Sequence, residues 1–334
     1  MDKTFHDGQL KKLWHWVYKF LKRHRLSIRA VTHEGQKNGD QLQQERAEFV
    51  RYISSRLQSP TSTVGMVEPH YIVNMDETSV YFEVKCNKTI NMIGERTIQA
   101  RRSGSNSKRV TVLLAVAADG TKLPPFIVFK GVPHGKIESS LDEILPDGMF
   151  GCCQESGWMD EMNSQLWISK VWLPYVKDTN ESFLLLDSFK CHLLESFTSK
   201  LLDCGTEYEH IPGGLTSQVQ PCDVGINKPF KTYMRQSYMN WCVEQYRELG
   251  KVASIPTPTR RELVEWVQTA WENISESNVR NAWHGSGYNI VVGSNTTASD
   301  AEEPLCVDEY RDDNGECFLS YHEALDMMRE FTEL

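Results

Sequence analysis

No long apolar run occurs in this 334-residue sequence, and none approaches the roughly 18 consecutive apolar residues that a membrane-spanning helix needs. The opening residues, MDKTFHDGQLKKLW, lack the short apolar core of a secretory signal. Nine cysteines are scattered along the chain, without a CxxC pair or a Cys/His cluster at zinc-ligand spacing. We therefore expect a soluble intracellular protein whose cysteines are reduced and mostly structural.

Charge is distributed unevenly along the chain, although the formal net charge is −9. Residues 1–52 contain eleven Lys/Arg and six Asp/Glu, and residues 85–109 contain seven and one. Residues 298–334 contain two Lys/Arg and twelve Asp/Glu. Salt screens exposed charges beyond about 8–10 Å, so the local charge decides phosphate contacts. The two basic stretches can therefore face a polyanion while the acidic end lies elsewhere.

The first basic stretch has the spacing of an amphipathic helix. Within residues 8–30, apolar side chains recur at helical intervals from Leu10 to Leu21, with Lys and Arg on the remaining face. Ser27 is a suitable N-cap for a second short helix. Short basic helices joined by a tight turn suit a DNA major groove, although an ordinary solvated helix face has the same pattern. The candidate DNA contacts here are Lys22, Arg23, Arg25 and Arg29.

Beyond a polar linker at 33–45, helical and strand patterns follow one another. We predict helices over 42–58, 165–177, 223–250 and 260–284, and strands over 70–76, 109–117, 125–129 and 183–187. Residues 295–316 are acidic and have no periodic pattern, which predicts a flexible segment.

Two of the predicted strands end in an aspartate: YIVNMD at Asp76 and FLLLD at Asp187. Ligands collect at strand ends in open α/β sheets. Two or three carboxylates held there suit Mg²⁺ or Mn²⁺, which prefer oxygen ligands. Two such ions, about 3.5–4 Å apart, can activate the attacking oxygen and stabilise the leaving oxygen of a phosphodiester. A third acid, Asp223, opens a predicted helix, where a role as an N-cap explains it equally well.

The segment around Asp76 also resembles the DxDxT pattern of phosphatases with an aspartate nucleophile. The nucleophile position would be Asn74, and an amide cannot form the acyl-phosphate intermediate. The phosphatase interpretation therefore fails at its most important residue.

Four strings occur in order along the chain: NMDETSVYFE at 74–83, KRVTVLLAVAADGTKLPPFIVFKG at 108–131, LLLDSFKCHL at 184–193 and IPGGLTSQVQPCDVGINKPFK at 211–231. Together they resemble the pogo/Tigger/jerky group of DDE-superfamily transposases, relatives of mariner elements. The similarity covers roughly residues 65–290. The N-terminal string WHWVYKFLKRHRLSIRAVTHEGQ resembles the end of the group's CENP-B-like helix-turn-helix region. Relatives usually carry two such units, so the resemblance implies that the first unit and part of the second are missing.

The resemblance implies an α/β fold: a ribonuclease H-like mixed sheet with helices on both faces, preceded by a short helical DNA-binding remnant. The first three strands should form an antiparallel meander, with the strand at 183–187 beside the first. The implied domains are a partial helix-turn-helix region at 1–32, a linker and helix at 33–65, a catalytic domain at 66–235, a helical extension at 236–292 and an acidic tail at 293–334.

The resemblance also implies a site. Asp76, Asp187 and Asp223 would be the catalytic, metal-binding acids, with two Mg²⁺ or Mn²⁺ ions. Glu77 and His192 would lie beside them without binding metal. The implied reactions are hydrolysis at transposon ends and strand transfer by the freed 3′-hydroxyl.

DNA is the implied partner, a homodimer is a further expectation, and the nucleus is the expected location. Neither a membrane nor a small-molecule cofactor is expected. Lys and Arg neutralise backbone phosphates, which makes further basic residues candidate DNA contacts, although a solvated basic loop explains each of them as well. These candidates are Arg101, Arg102, Lys108, Arg109, Lys228 and Lys231.

Two departures from the group's pattern leave the three acids in place. Cys222 stands where an aliphatic residue is usual, and Ser79 stands where proline is common. An active transposase is the first hypothesis. The alternatives are a host-adopted nuclear DNA-binding protein that no longer cuts and a nuclease acting on RNA or hybrids, which the same fold and metals also serve.

Overall fold

A computed structural model describes residues 39–58, 67–83, 108–249 and 256–288, together with positions 19, 20, 23, 65 and 290. The chain divides into two units, residues 37–295 and residues 1–36 with 296–334. Of the second unit only positions 19, 20 and 23 are described, so the rest of the predicted helix-turn-helix remnant lies outside the described residues, as does the acidic tail.

A six-stranded mixed sheet forms the centre of the larger unit. Its strands are β1 (Ile72–Tyr81), β2 (Arg109–Ala117), β3 (Phe126–Lys130), β4 (Phe150–Gln154), β5 (Ser182–Asp187) and β6 (Thr206–Ile211). Their spatial order is β4-β3-β2-β1-β5-β6. The pairs β1–β2 and β2–β3 are antiparallel, whereas β3–β4, β1–β5 and β5–β6 are parallel. This confirms the predicted meander, the position of the 183–187 strand beside the first, and the ribonuclease H-like α/β fold.

The prediction for the first strand was wrong at its C-terminal end. β1 does not stop at Asp76 but continues to Tyr81, so Asp76 lies inside the strand. Residues 77–81 alternate between partly exposed and buried side chains because one face of the strand packs on the core and the other reaches the surface. β4 and β6 were not predicted at all, since neither has a continuous apolar run or a clear alternation of apolar and polar residues.

Helices cover both faces of the sheet. They are α1 (Gly39–Gln58), α2 (Lys136–Ser139), α3 (Glu161–Trp167), α4 (Leu173–Val176), α5 (Glu195–Asp203), α6 (Thr216–Val219), α7 (Asn227–Leu249), α8 (Arg260–Glu272) and α9 (Glu276–Gly285). A π-helical turn, Ile168–Trp172, joins α3 to α4, and a second, Cys222–Ile226, leads directly into α7. No helix in the described ranges is long and apolar enough to cross a membrane.

The helix predictions were confirmed in place but not in extent. The segment predicted at 260–284 is two helices, each begun by a capping box: Thr259 with Glu262, and Ser275 with Asn278. α5 was not predicted. The domain boundary expected between residues 235 and 236 falls inside α7.

Two apolar cores hold the layers together, one on each face of the sheet. On one face, Ile72 and Val80 pack with Phe49 of α1 and with residues of α7, α8 and α9. On the other, Val73 and Met75 pack with the Trp167 side chain and with α5. Because side chains alternate along β1, the same strand supplies both cores and is buried on both faces over its first five residues.

Candidate metal centre

Three carboxylates meet where β1 runs past the end of β5. The two strands pair only over Ile72–Asn74, after which β5 ends at Asp187 while β1 continues. Asp76 and Glu77 therefore lie beside the end of β5. One oxygen from each of Asp76, Glu77 and Asp187 lies within 4.8 Å of the others.

Asp223 reaches the same place from a different segment of the chain. It lies in the π-helical turn ahead of α7, where Pro221 occupies the N-cap position and no side chain caps the helix. Asp223 is therefore not the N-cap, and that interpretation was wrong. The Asn227 amide joins it to the cluster: Nδ2 donates to Asp76 Oδ2 at 2.5 Å and to Asp223 Oδ1 at 3.0 Å.

Asn74 ties together the three segments that carry the aspartates. Its Oδ1 accepts a hydrogen bond from the backbone N–H of Cys222 at 2.8 Å, and its Nδ2 donates to the backbone carbonyl of Leu185 at 2.9 Å. Asn74 is fully buried. One side chain on β1 thus fixes β5 two residues before Asp187 and the helical turn one residue before Asp223.

A glycine brings the Asp223 turn against α9. A Cβ atom added at Gly225 would lie 2.6 Å from Ala282 Cβ and 2.9 Å from Ala282 Cα, closer than such atoms approach in proteins. Only glycine therefore allows this approach without a shift of backbone, and the position of the turn depends on it.

His192 links two of the acids to each other. It has no exposed side-chain surface. Its Nδ1 lies 2.9 Å from Asp187 Oδ1, and its Nε2 lies 3.0 Å from Glu77 Oε1. Burial lowers the pKa of this imidazole, but the charge of Glu77 and hydrogen bonds to Asp187, Cys191 and Glu77 outweigh burial and raise the pKa well above its ordinary value. A protonated ring can donate from both nitrogens at once.

The negative charges at this site oppose one another. Burial raises the pKa of Asp76 well above its ordinary value, and the charges of Asp223, Glu77 and Asp187 raise it further. The hydrogen bond from Asn227 acts in the opposite sense and lowers it. A cation among these oxygens would relieve the repulsion.

The donor set fits a hard divalent cation. Several carboxylate oxygens converge, as Mg²⁺ and Mn²⁺ require. Cys191 lies in a second group with Glu77 and His192, but both nitrogens of that histidine are already bonded to carboxylates. The acids rather than the thiol are therefore the candidate ligands.

Cys222 and Ser79 leave the acids undisturbed. The Cys222 thiol is buried, and burial together with the charges of Asp76, Asp223 and Glu77 raises its pKa well above the usual value. It therefore stays a neutral packing group. The Ser79 hydroxyl accepts a hydrogen bond from Arg109 at 3.3 Å.

The basic candidates divide into four groups. Lys108, Lys228 and Lys231 are exposed. Arg109 is partly buried, with its guanidinium 3.5 Å from the ring centroid of Trp158. Arg23 is exposed and belongs to the smaller unit. Lys22, Arg25, Arg29, Arg101 and Arg102 lie outside the described residues.

Residues 107–283 match the family model described as "DDE superfamily endonuclease". The chain belongs to this family. The matched stretch includes Asp187 and Asp223, whereas Asp76 precedes it.

Individual relatives are similar over most of the chain. "Pogo transposable element with KRAB domain" from Mus musculus is 30% identical over 268 residues, which are 79% of this chain and 42% of the relative. "CENP-B homolog protein 2" from Schizosaccharomyces pombe is 27% identical over 233 residues, 67% of this chain and 43% of that protein. The chain therefore spans less than half the length of these curated relatives.

Among solved structures, the one described as "Crystal structure of the Mos1 Strand Transfer Complex" is similar with a TM-score of 0.47 and 12% identity, covering 85% of this chain and 75% of that chain.

Sequence reasoning missed two residues of the site. Asn74 was considered only as a failed nucleophile, and Asn227 was not considered. For Asn227 a signal existed, because residues four apart on a helix share a face and Asp223 lies four positions earlier.

Proposed function

We propose that this protein cuts and joins phosphodiester bonds in DNA with divalent metal ions, as a transposase or a protein derived from one. The observation that carries the proposal is the convergence of Asp76, Glu77 and Asp187, with Asp223 joined to them through Asn227. Membership of the DDE superfamily endonuclease family supports the same chemistry.

The ligands would be Asp76, Asp187 and Asp223, and Glu77 lies close enough to be a fourth. Two Mg²⁺ or Mn²⁺ ions held there would activate the attacking oxygen and stabilise the leaving oxygen of the phosphodiester. Asp187 Oδ1 accepts hydrogen bonds from His192 Nδ1 and from the backbone N–H of Phe189 at 3.1 Å. These contacts hold the carboxylate in one orientation, which is the main contribution of a protein to such a site.

Burial supports the chemistry as well. Asp76 is only 7% exposed and His192 is fully buried, whereas Asp223 is exposed. Carboxylates with little access to water attract a cation more strongly than they would on an open surface. Charge therefore favours metal binding at all three acids, and burial adds to this effect at Asp76.

DNA is the proposed substrate, and the nucleus is the corresponding location. Exposed lysines on α7, Lys228 and Lys231, follow the site directly along the helix and are proposed contacts to the DNA backbone. A homodimer is also proposed, since the relatives resembled by the four motifs commonly act as dimers. The domain division expected from the sequence is likewise proposed, except for the boundary between residues 235 and 236, which falls inside α7.

The decisive test compares the parent chain with Asp187→Asn. We expect the parent to nick duplex DNA when Mg²⁺ or Mn²⁺ is added, and the variant to lose nicking while it still binds DNA. Asp203→Asn is the matched control, because Asp203 is an exposed aspartate at the end of α5.

Equal nicking by the parent and Asp187→Asn would overturn the proposed site. A parent chain that binds DNA but never cuts it would favour the host-adopted DNA-binding protein instead. Faster cleavage of RNA or of an RNA–DNA hybrid than of DNA would favour the alternative that the protein is a nuclease acting on RNA or hybrids.

A further inference from the structure

The amide of Asn227 occupies the space between two of the acids. Asn227 is 9% exposed and lies at the first position of α7, one helical turn beyond Asp223. Its Nδ2 group donates one hydrogen bond to Asp76 and one to Asp223. Those two carboxylate oxygens are therefore no farther apart than the span of two hydrogen bonds, and an N–H group stands where a shared cation would neutralise both.

The other end of the same amide is unsatisfied. Asn227 Oδ1 is buried and has no hydrogen-bond partner among the described residues. A buried carbonyl oxygen without a partner is unfavourable, because it has given up its bonds to water. In this orientation of the amide, the Nδ2 group is satisfied and the Oδ1 atom is not.

An amide can reverse its two ends at little steric cost. The oxygen and the NH₂ group have nearly the same size, and a half-turn about the last side-chain bond exchanges them. Turned in this way, Asn227 would direct its oxygen at Asp76 and Asp223. Three oxygens facing one another repel, unless a cation lies among them.

We propose that Asn227 is a further ligand of the metal centre, which donates to Asp76 and Asp223 in the metal-free state and turns its Oδ1 to the cation in the metal-bound state. This inference rests on the proposed function, because it assumes that the acids bind metal. It assigns the unsatisfied oxygen a partner and explains how the acids tolerate one another without metal.

The chemistry of the amide suits this double role better than the alternatives. An aspartate at position 227 would add charge to a cluster in which the pKa of Asp76 is already raised. A lysine would compete permanently with the metal, and an aliphatic side chain would leave both carboxylates without a donor. A primary amide offers two N–H donors from one atom and an acceptor oxygen from the other, which is what two carboxylates and a cation require in turn.

The test measures Mn²⁺ binding to the full chain by isothermal titration calorimetry, without DNA. We expect Asn227→Ala to bind Mn²⁺ at least about tenfold more weakly than the parent, in the range seen when groups supporting a metal site are removed. Asn227→Asp keeps an oxygen at this position and should bind Mn²⁺ at least as tightly as the parent. Asn240→Ala, an exposed asparagine on the same helix, should bind as the parent does.

The aspartate variant separates a ligand from a purely structural role. If Asn227 only holds the acids through its N–H groups, both variants lose those bonds, and both should bind Mn²⁺ more weakly. Weaker binding by Asn227→Asp would therefore overturn the inference, and so would unchanged binding by Asn227→Ala. A parent chain that binds no Mn²⁺ would overturn the proposed metal centre itself, a result distinct from the other two.

Discussion

The side-chain oxygen of Asn74 lies 2.8 Å from the backbone nitrogen of Cys222, although the two residues are 148 positions apart in the chain. With the bond from Asn74 Nδ2 to the Leu185 carbonyl, this contact aligns the strand of Asp76, the strand of Asp187 and the turn of Asp223. The geometry of the site therefore depends on a neutral residue that need not contact metal or DNA.

Replacing Asn74 with alanine should destabilise the fold as well as the site. The backbone N–H of Cys222 and the backbone carbonyl of Leu185 would each lose a buried hydrogen-bond partner. Each group left unsatisfied costs about 1–3 kcal/mol of stability. We expect a loss of about 2–4 kcal/mol in the free energy of unfolding, measured with urea. Asn240→Ala is the control and should change it by less than about 0.5 kcal/mol. A similarly small change in Asn74→Ala would contradict the role assigned to its two bonds.

Gly225→Ala should displace the turn that carries Asp223. The new methyl group would overlap Ala282, and overpacking of this kind costs about 1–3 kcal/mol. The double variant Gly225→Ala/Ala282→Gly should be more stable than the sum of the two single changes predicts, because the shorter contact, to Ala282 Cβ, is removed, although the contact to the Cα atom remains. Gly213→Ala is the matched control, since nothing lies within 4 Å of its added Cβ. Simple additivity of the two changes would show that the overlap is absent.

Asp119 should make stability depend on pH. Burial raises the pKa of this carboxyl, but hydrogen bonds from the Thr121 backbone and from His70 outweigh burial, and the pKa is lowered below 3.8. A depressed pKa means that the stabilisation is present above about pH 4 and is lost as the pH falls through the folded-state value. In urea unfolding, Asp119→Ala should therefore be less stable than the parent at about pH 6, and the difference should shrink towards about pH 3. A stability difference that stayed constant or grew on acidification would contradict the prediction that Asp119 has a lowered pKa in the folded protein.

Lys108 and Arg109 are neighbours in sequence that should behave differently towards DNA. Lys108 is exposed, whereas the Arg109 guanidinium lies against Trp158 and donates to Ser79. We expect Lys108→Ala to reduce the slope of log affinity against log salt by about 0.9, the effect of losing one phosphate contact. Arg109→Ala should leave the slope nearly unchanged and lower stability by about 0.5–1 kcal/mol. Equal loss of slope in both variants would assign both side chains to DNA.

The sequence predicts the centre of the sheet better than its edges. β5 is an uninterrupted apolar run because both of its faces are covered, so it is recognisable at once. β6 reads TEYEHI and has only its ends fully buried, because Glu207 and Glu209 are directed at Arg56 rather than at an apolar core. No local pattern reveals such a strand, since its partner is a helix about 150 residues earlier.

The site is predictable in its acids but not in their connections. Strand ends and ordered motifs indicate Asp187 and Asp223 from sequence. The contact between His192 and Glu77 joins residues 115 positions apart and follows from the packing of α5 under the sheet. The sequence indicated Asp76 as a strand-end residue, and this part of the argument was wrong because β1 continues to Tyr81. What places it at the site is the early end of β5, a property of the neighbouring strand.

The ion pairs of Arg56 determine where the chain can be joined to another protein in a gene fusion. From α1 it makes ion pairs with Glu209 at 2.7 Å and Glu207 at 2.6 Å on the edge strand β6. A gene fusion joined after residue 58 would remove this arginine and leave two like charges side by side on an open sheet edge. A fusion joined before residue 39 would keep the helix and the pairs together. The portable unit for domain shuffling therefore includes α1, because a junction between α1 and β1 would leave Glu207 and Glu209 without this arginine.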